Sequence, residues 1–137
     1  NPNSEQDREI HHFTYSLYPH AGSVDTSDVV SQGYSLNLPL YCVSGKAAHS
    51  SYSLVSTDKD NIIIETVKKA EDSSDTVIRA YETWNKTTDC VYTFDRVPKS
   101  VYVCNLLEEN EEQLEVNGNT VALRFKPFEI KTVKVTF

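Results

Sequence analysis

The stretch "HHFTYSLYPHAG", residues 11–22, holds three of the chain's four histidines. Imidazole is the commonest metal ligand and the usual general base near neutral pH, so the cluster invites an active-site reading. Its spacing argues otherwise. In a strand, alternate side chains share a face, so Phe13, Tyr15 and Leu17 fall on one side while His12, Thr14, Ser16 and Tyr18 fall on the other. His11 and His12 then diverge, no two histidines stand at i, i+2 on one face, and neither Cys-x-x-Cys nor His-Glu-x-x-His occurs. The residues predict no metal site within this chain. His20 follows Pro19 in a turn, where a ring nitrogen can anchor backbone or meet a neighbouring domain.

Nucleophiles and phosphate cradles fare no better. Cys42, Cys90 and Cys104 sit in β-like stretches as small apolar residues, and no Gly-x-Ser-x-Gly elbow is present. Glycines stand only at 22, 33, 45 and 118, so no Gly-rich loop can approach a phosphate. A glycosidase needs two facing carboxylates, but most acids here cluster in loops, as at Asp58 and Asp60 or 108–112. Glu65, Arg79 and Glu82 differ, being charged residues inside strong strands. They read as a cross-strand pair on an exposed face or as a contact with another domain. Eight tyrosines and Trp84 could stack on sugar rings, or lie half-buried at a sandwich rim with their hydroxyls in water.

The elements that must position these residues are strands. The dominant pattern has period two, rich in β-branched and aromatic residues and punctuated by turn chemistry. Residues 11–18 read as a first strand; residues 34–40 read as another, with Pro39 marking an edge or an end. Residues 51–56 and 62–67 flank a polar five-residue loop and predict a hairpin. Residues 76–84 carry apolar side chains on both faces, as a central strand does, and 89–94 and 101–107 follow. "EENEEQ" reads as a solvated loop, because like charges repel and resist burial. "LEVNGNTVALRF" predicts a hairpin with a type I′ turn at Asn117-Gly118. In "PFEIKTVKVTF", Phe128 and Ile130 are out of phase with Val133, Val135 and Phe137, so a bulge near Lys131-Thr132 is expected to return both sets to the core. No amphipathic helix of ten or more residues stands out. The expectation is an all-β chain, an antiparallel β-sandwich of about eight to ten strands, with residues 1–10 a polar lead-in and 11–137 the sandwich domain.

Composition bounds the partners. At 137 residues the chain is one domain by length. A formal net charge of -7 repels nucleic-acid phosphates, so no nucleic acid is expected. No apolar run approaches the roughly 20 residues that span a bilayer, so no membrane is expected either. Three cysteines cannot all pair in one chain, which favours reduced thiols and a cytoplasmic location, although Cys90 and Cys104 could bridge if they lie on neighbouring strands. The chain has no Met and a polar start, "NPNSEQDR", and reads as a piece of a longer protein.

Five stretches, "HHFTYSLYPHAG", "GYSLNLPL", "IIIETVKKAEDSSDTVIRAYE", "CNLLEE" and above all "VALRFKPFEIKTVKV", together resemble the C-terminal β-domain of the glycoside hydrolase family 38 alpha-mannosidases, in particular the bacterial and cytosolic type. The match runs in order from about residue 11 to residue 135. The resemblance implies a parent that hydrolyses alpha-linked mannose with retention of configuration, through a carboxylate nucleophile and a zinc ion held by His and Asp in its N-terminal catalytic region. No residue here matches the nucleophile or zinc-ligand motifs. The chain is then a non-catalytic C-terminal domain without a cofactor of its own, zinc being expected in the parent. It would support the catalytic region, form one wall of the sugar cleft and contribute to subunit contacts. His12, Tyr18, His20, Arg79 and Glu82 are the candidates for interdomain or cleft contacts. The expected partners are the remaining domains of the parent, the alpha-mannoside bound through the parent, and a second copy. The alternative is a stand-alone carbohydrate-binding or immunoglobulin-like interaction module.

Overall fold

A computed structural model describes residues 8–38 and 40–137. Its strands are β1 (Val55–Thr57), β2 (Ile62–Lys69), β3 (Thr76–Glu82), β4 (Thr88–Phe94), β5 (Ser100–Cys104), β6 (Asn110–Leu114), β7 (Val116–Asn117), β8 (Thr120–Phe125) and β9 (Ile130–Thr136). They form two antiparallel sheets, of four strands in the order β1-β4-β8-β7 and of five in the order β2-β3-β9-β5-β6. The sandwich expected from the period-two pattern is present.

Alternation builds the core directly. Tyr92 and Phe94 on β4 and Leu123 and Phe125 on β8 face Ile78 and Ala80 on β3 and Val133 and Val135 on β9. Phe94 meets Phe137 edge-on across the two sheets, ring centroids 5.9 Å apart. Each fully buried aromatic or aliphatic side chain of this layer contributes about 1.5–3 kcal/mol relative to exposure. Cys90 and Cys104 lie on opposite sheets and are unpaired, and burial pushes the Cys90 thiol up to about 11, which leaves it an inert core group.

β3 is central, between β2 and β9, as its two apolar faces predicted. Several other expectations are corrected. Residues 51–56 and 62–67 do not pair with each other. β1 pairs with β4 and β2 with β3, so the polar loop crosses between the sheets. Asp58 holds that crossing, its carboxylate accepting the Val91 amide of β4 at 2.7 Å. "EENEEQ" is solvated but is not all loop. Its latter part is β6, an edge strand whose carboxylates stay in water while its backbone pairs with β5. The β7–β8 turn is Gly118-Asn119, with Gly118 at φ +60 and no positive φ at Asn117 or Asn119, the pattern of a type II′ turn.

No bulge occurs in β9, whose register against β3 and β5 is unbroken. Ile130 remains exposed because its phase belongs to the outward face of the five-stranded sheet, and Phe128 because it sits in the turn before β9.

The largest corrections concern residues before β1. Residues 11–18 form no strand, and Phe13, Tyr15 and Leu17 stand 80%, 85% and 91% exposed. Residues predicted as a strand from 34 fall instead in a helix, α1 (Val29–Asn37); the expectation for Pro39 lies outside the described residues. A helical stripe explains it. Val29, Val30, Gly33 and Tyr34 are half-buried together at helical spacing, and the Asp28 carboxylate, one residue ahead, takes the Gln32 amide at 3.1 Å. This stripe overrides the alternation of Tyr34, Leu36 and Leu38.

Candidate functional site

The outward face of the five-stranded sheet carries Ile63 and Lys68 from β2, Val77, Arg79 and Tyr81 from β3, and Ile130, Thr132 and Lys134 from β9, as the register requires. Two structures cross it. At one end the loop between β5 and β6 is lashed down by Glu108, whose carboxylate meets the Lys68 Nζ at 2.7 Å and the Glu71 amide at 2.9 Å, while its carbonyl accepts the Lys134 ammonium at 2.6 Å. At the other end α1 lies against the sheet, the Tyr34 and Tyr81 hydroxyls 3.0 Å apart. Beside α1 a groove of about 540 Å³ opens, lined among others by Tyr34, Glu65, Arg79, Tyr81, Phe128 and Ile130. Its size is that of small-molecule sites, roughly 300–1,000 Å³.

Glu82 builds the floor of this end. Its parity places it inward with Ile78 and Ala80, and it is fully buried, so the expected cross-strand pair on an exposed face is corrected: Glu82 lies on the opposite side of β3 from Arg79. The carboxylate accepts the Asn61 side-chain amide at 2.8 Å and the backbone amides of Trp84 at 2.6 Å, Lys86 at 3.2 Å and Phe128 at 2.9 Å. Burial alone would push its pKa up, but the bonds from Phe128, Asn61, Trp84 and Lys86 outweigh it and hold the group below the ordinary glutamate value. The carboxylate thus joins three chain segments: the β2 start, the turn after β3 and the turn before β9. Phe128 is the product. Its backbone sits at φ +54, costly for an aromatic residue, yet its ring is 61% exposed beside the groove. No core packing offsets that strain; the turn is held by the Phe128 amide on Glu82, by the Glu129 amide on the Lys126 carbonyl at 3.0 Å and by the Lys126 amide on the Glu129 carboxylate at 2.7 Å.

This arrangement suits binding better than proton transfer. Glu82 is committed to four donors and has no proton to give. Burial and then the Tyr34 hydroxyl push Tyr81 up to about 12, so it stays a neutral phenol that donates and accepts hydrogen bonds. Arg79, whose Nε donates to Thr132 Oγ1 at 3.1 Å, supplies a fixed positive charge, and Glu65 a carboxylate.

Of the residues singled out in the sequence, Arg79 and Glu82 come together at this groove, one lining it and the other beneath it. His12, Tyr18 and His20 do not. His12 is exposed; Tyr18 stacks on His20 with centroids 6.5 Å apart and donates its hydroxyl to Asp28 at 2.9 Å. Sequence reasoning missed Tyr34, Phe128 and Ile130. The out-of-phase pair Phe128 and Ile130 carried the signal, read as a bulge rather than as an outward apolar patch. Among the described residues no three His, Cys, Asp or Glu side chains are grouped so that they could hold a metal ion. No helix among the described residues is long and apolar enough to cross a membrane.

Residues 61–133, from the start of β2 into β9, match the Glycosyl hydrolases family 38 C-terminal beta sandwich domain. Similarity to curated proteins runs further. The chain is 36% identical over 141 residues to Alpha-mannosidase G of Dictyostelium discoideum, covering 97% of this chain and 13% of that protein. It is 33% identical over 136 residues to Alpha-mannosidase 2C1 of Homo sapiens, covering 94% of this chain and again 13% of the relative. The Mus musculus Alpha-mannosidase 2C1 is 30% identical over 139 residues, 96% of this chain and 13% of its own length. The chain therefore spans about 13% of the length of the curated relatives it matches.

Proposed function

Because the chain belongs to the C-terminal β-sandwich domains of the family 38 glycosyl hydrolases, we propose that it serves a longer alpha-mannosidase as a non-catalytic domain that braces the catalytic region. The carrying observation is that 94–97% of this chain aligns with proteins of which it makes up only 13%. In this reading the parent cleaves alpha-linked mannose with retention, and the zinc ion and carboxylate nucleophile are held by residues outside this chain. The groove under α1 forms one wall of the parent's sugar cleft. Its chemistry supports this: an exposed aromatic ring stacks on sugar C–H faces, while the Arg79 guanidinium and Glu65 carboxylate pair with vicinal hydroxyls. Three unpaired cysteines support a cytoplasmic location.

The test is hydrolysis of an aryl alpha-mannoside. We expect turnover by the parent polypeptide and none by the 137-residue chain, with or without added zinc. In the parent, Arg79→Ala should raise KM about 10-fold with kcat little changed, as loss of uniform sugar binding requires. Turnover by the chain alone would overturn the non-catalytic reading, and an unchanged KM would remove the groove from the cleft.

A further inference from the structure

Residues 12–18 have the makings of a strand without its sheet. Phe13, Tyr15 and Leu17 alternate with His12, Thr14, Ser16 and Tyr18, and the three apolar side chains are almost wholly in water. An isolated strand is not stable on its own, and rings presented in this way call for a covering layer. We propose that residues 12–18 form a β-strand that adds to an open sheet edge in the adjoining domain of the parent polypeptide, turning Phe13, Tyr15 and Leu17 into that domain's core and leaving His12, Thr14 and Ser16 on its polar face. The inference rests on the reading of the chain as part of a longer protein.

Three observations commit the segment to that partner. First, its own sandwich offers no suitable edge. β1 and β7 have three and two residues, β6 presents Asn-Glu-Glu-Gln-Leu, and β2 is irregular between Ile64 and Thr66 and carries Lys68 and Lys69. Each is a short, charged or kinked edge of the kind that repels an added strand. Second, the segment's end is already fixed, the Tyr18 hydroxyl bonding Asp28 at the head of α1, so it leaves the domain from a defined point. Third, the sandwich match begins at residue 61, while similarity to the alpha-mannosidases covers 94–97% of the chain. A match that wide takes in residues 12–18, outside the sandwich. Strand addition satisfies the backbone through main-chain hydrogen bonds and gains specificity from alternate side chains in pockets.

Hydrogen–deuterium exchange, read on peptides spanning residues 11–18 in the parent and in the 137-residue chain, tests the pairing. Amides of this segment should exchange about 100-fold slower in the parent, since a paired strand exchanges only through opening. Tyr15→Pro in the parent should return the segment to the rate of the shorter chain while β3 and β9 stay protected. Equal rates in a parent that hydrolyses alpha-mannosides would overturn the strand alone. A reading frame that encodes no further domain would overturn the parent reading itself. Protection that appears in the 137-residue chain and grows with its concentration would assign the strand to a second copy instead, and overturn the proposal as well.

Discussion

A carboxylate with no exposed surface is costly to bury, and Glu82 is tolerated only because four donors converge on it. Glu82→Gln places a side-chain amide against backbone N–H donors, so donor faces donor. We expect a loss of about 3 kcal/mol at neutral pH, the usual cost of breaking a buried charged network. The pH dependence follows from the lowered pKa. A folded value below the unfolded one contributes stability above the ordinary glutamate pKa near 4.5, and that contribution drains away as pH falls through the folded value. Urea titrations from pH 5 to pH 3 should therefore show wild type losing more stability than Glu82→Gln. A parallel decline would mean that the carboxylate titrates normally. The sequence reading puts Glu82 on an exposed face or at a contact with another domain, although its parity with Ile78 and Ala80 on a strong strand points inward; neither its burial nor its four partners were read. Three of them are backbone amides, and backbone amides carry no residue-type signal.

Elements divide in the same way. Strands with one clean alternating face, such as β4 and β8, were readable because both their phases meet the environment they suit. α1 was not, since its half-buried positions Val29, Val30, Gly33 and Tyr34 overlap a run that alternates just as well. Only the sheet beneath α1 decides between the two periods. Turn geometry was half legible: Gly118 announced a hairpin, but which two residues turn was set by the pairing Asn117↔Thr120. A Cβ at Gly118 would meet nothing within 4 Å, so only its φ of +60 opposes substitution. Gly118→Ala should accordingly cost about 1–2 kcal/mol, the price of a left-handed L-residue, measured as a lower melting temperature with unchanged β content. No loss would show that the turn relaxes to another type.

At the scale of the molecule, two sheets of unequal character share one core. The four-stranded sheet belongs wholly to the sandwich. The five-stranded sheet also bears α1, the Glu108 lashing and the groove. Its continuity depends on β9, which pairs with β3 on one side and β5 on the other. Ending the chain before residue 130 would leave β2-β3 and β5-β6 as separate pairs with an open core between them. Such a chain should show no cooperative thermal transition, whereas the 137-residue one should melt in a single step. A cooperative transition in the shortened chain would mean that the core closes without its central strand.

The place of β9 also sets an order of events during synthesis. Arg79 and Thr132, neighbours across the β3–β9 pair, are 53 positions apart, and the strand that joins the two halves is the last of the nine to be made. A growing chain at the ribosome can form the β2–β3 and β5–β6 hairpins early, but it holds their apolar faces uncovered until residues 130–136 emerge. Loop closure over such spans is slow, and exposed strand edges invite association with other chains. The nascent domain thus passes through a window in which chaperone capture competes with aggregation, and that window shuts only when its final strand slides between the two waiting pairs.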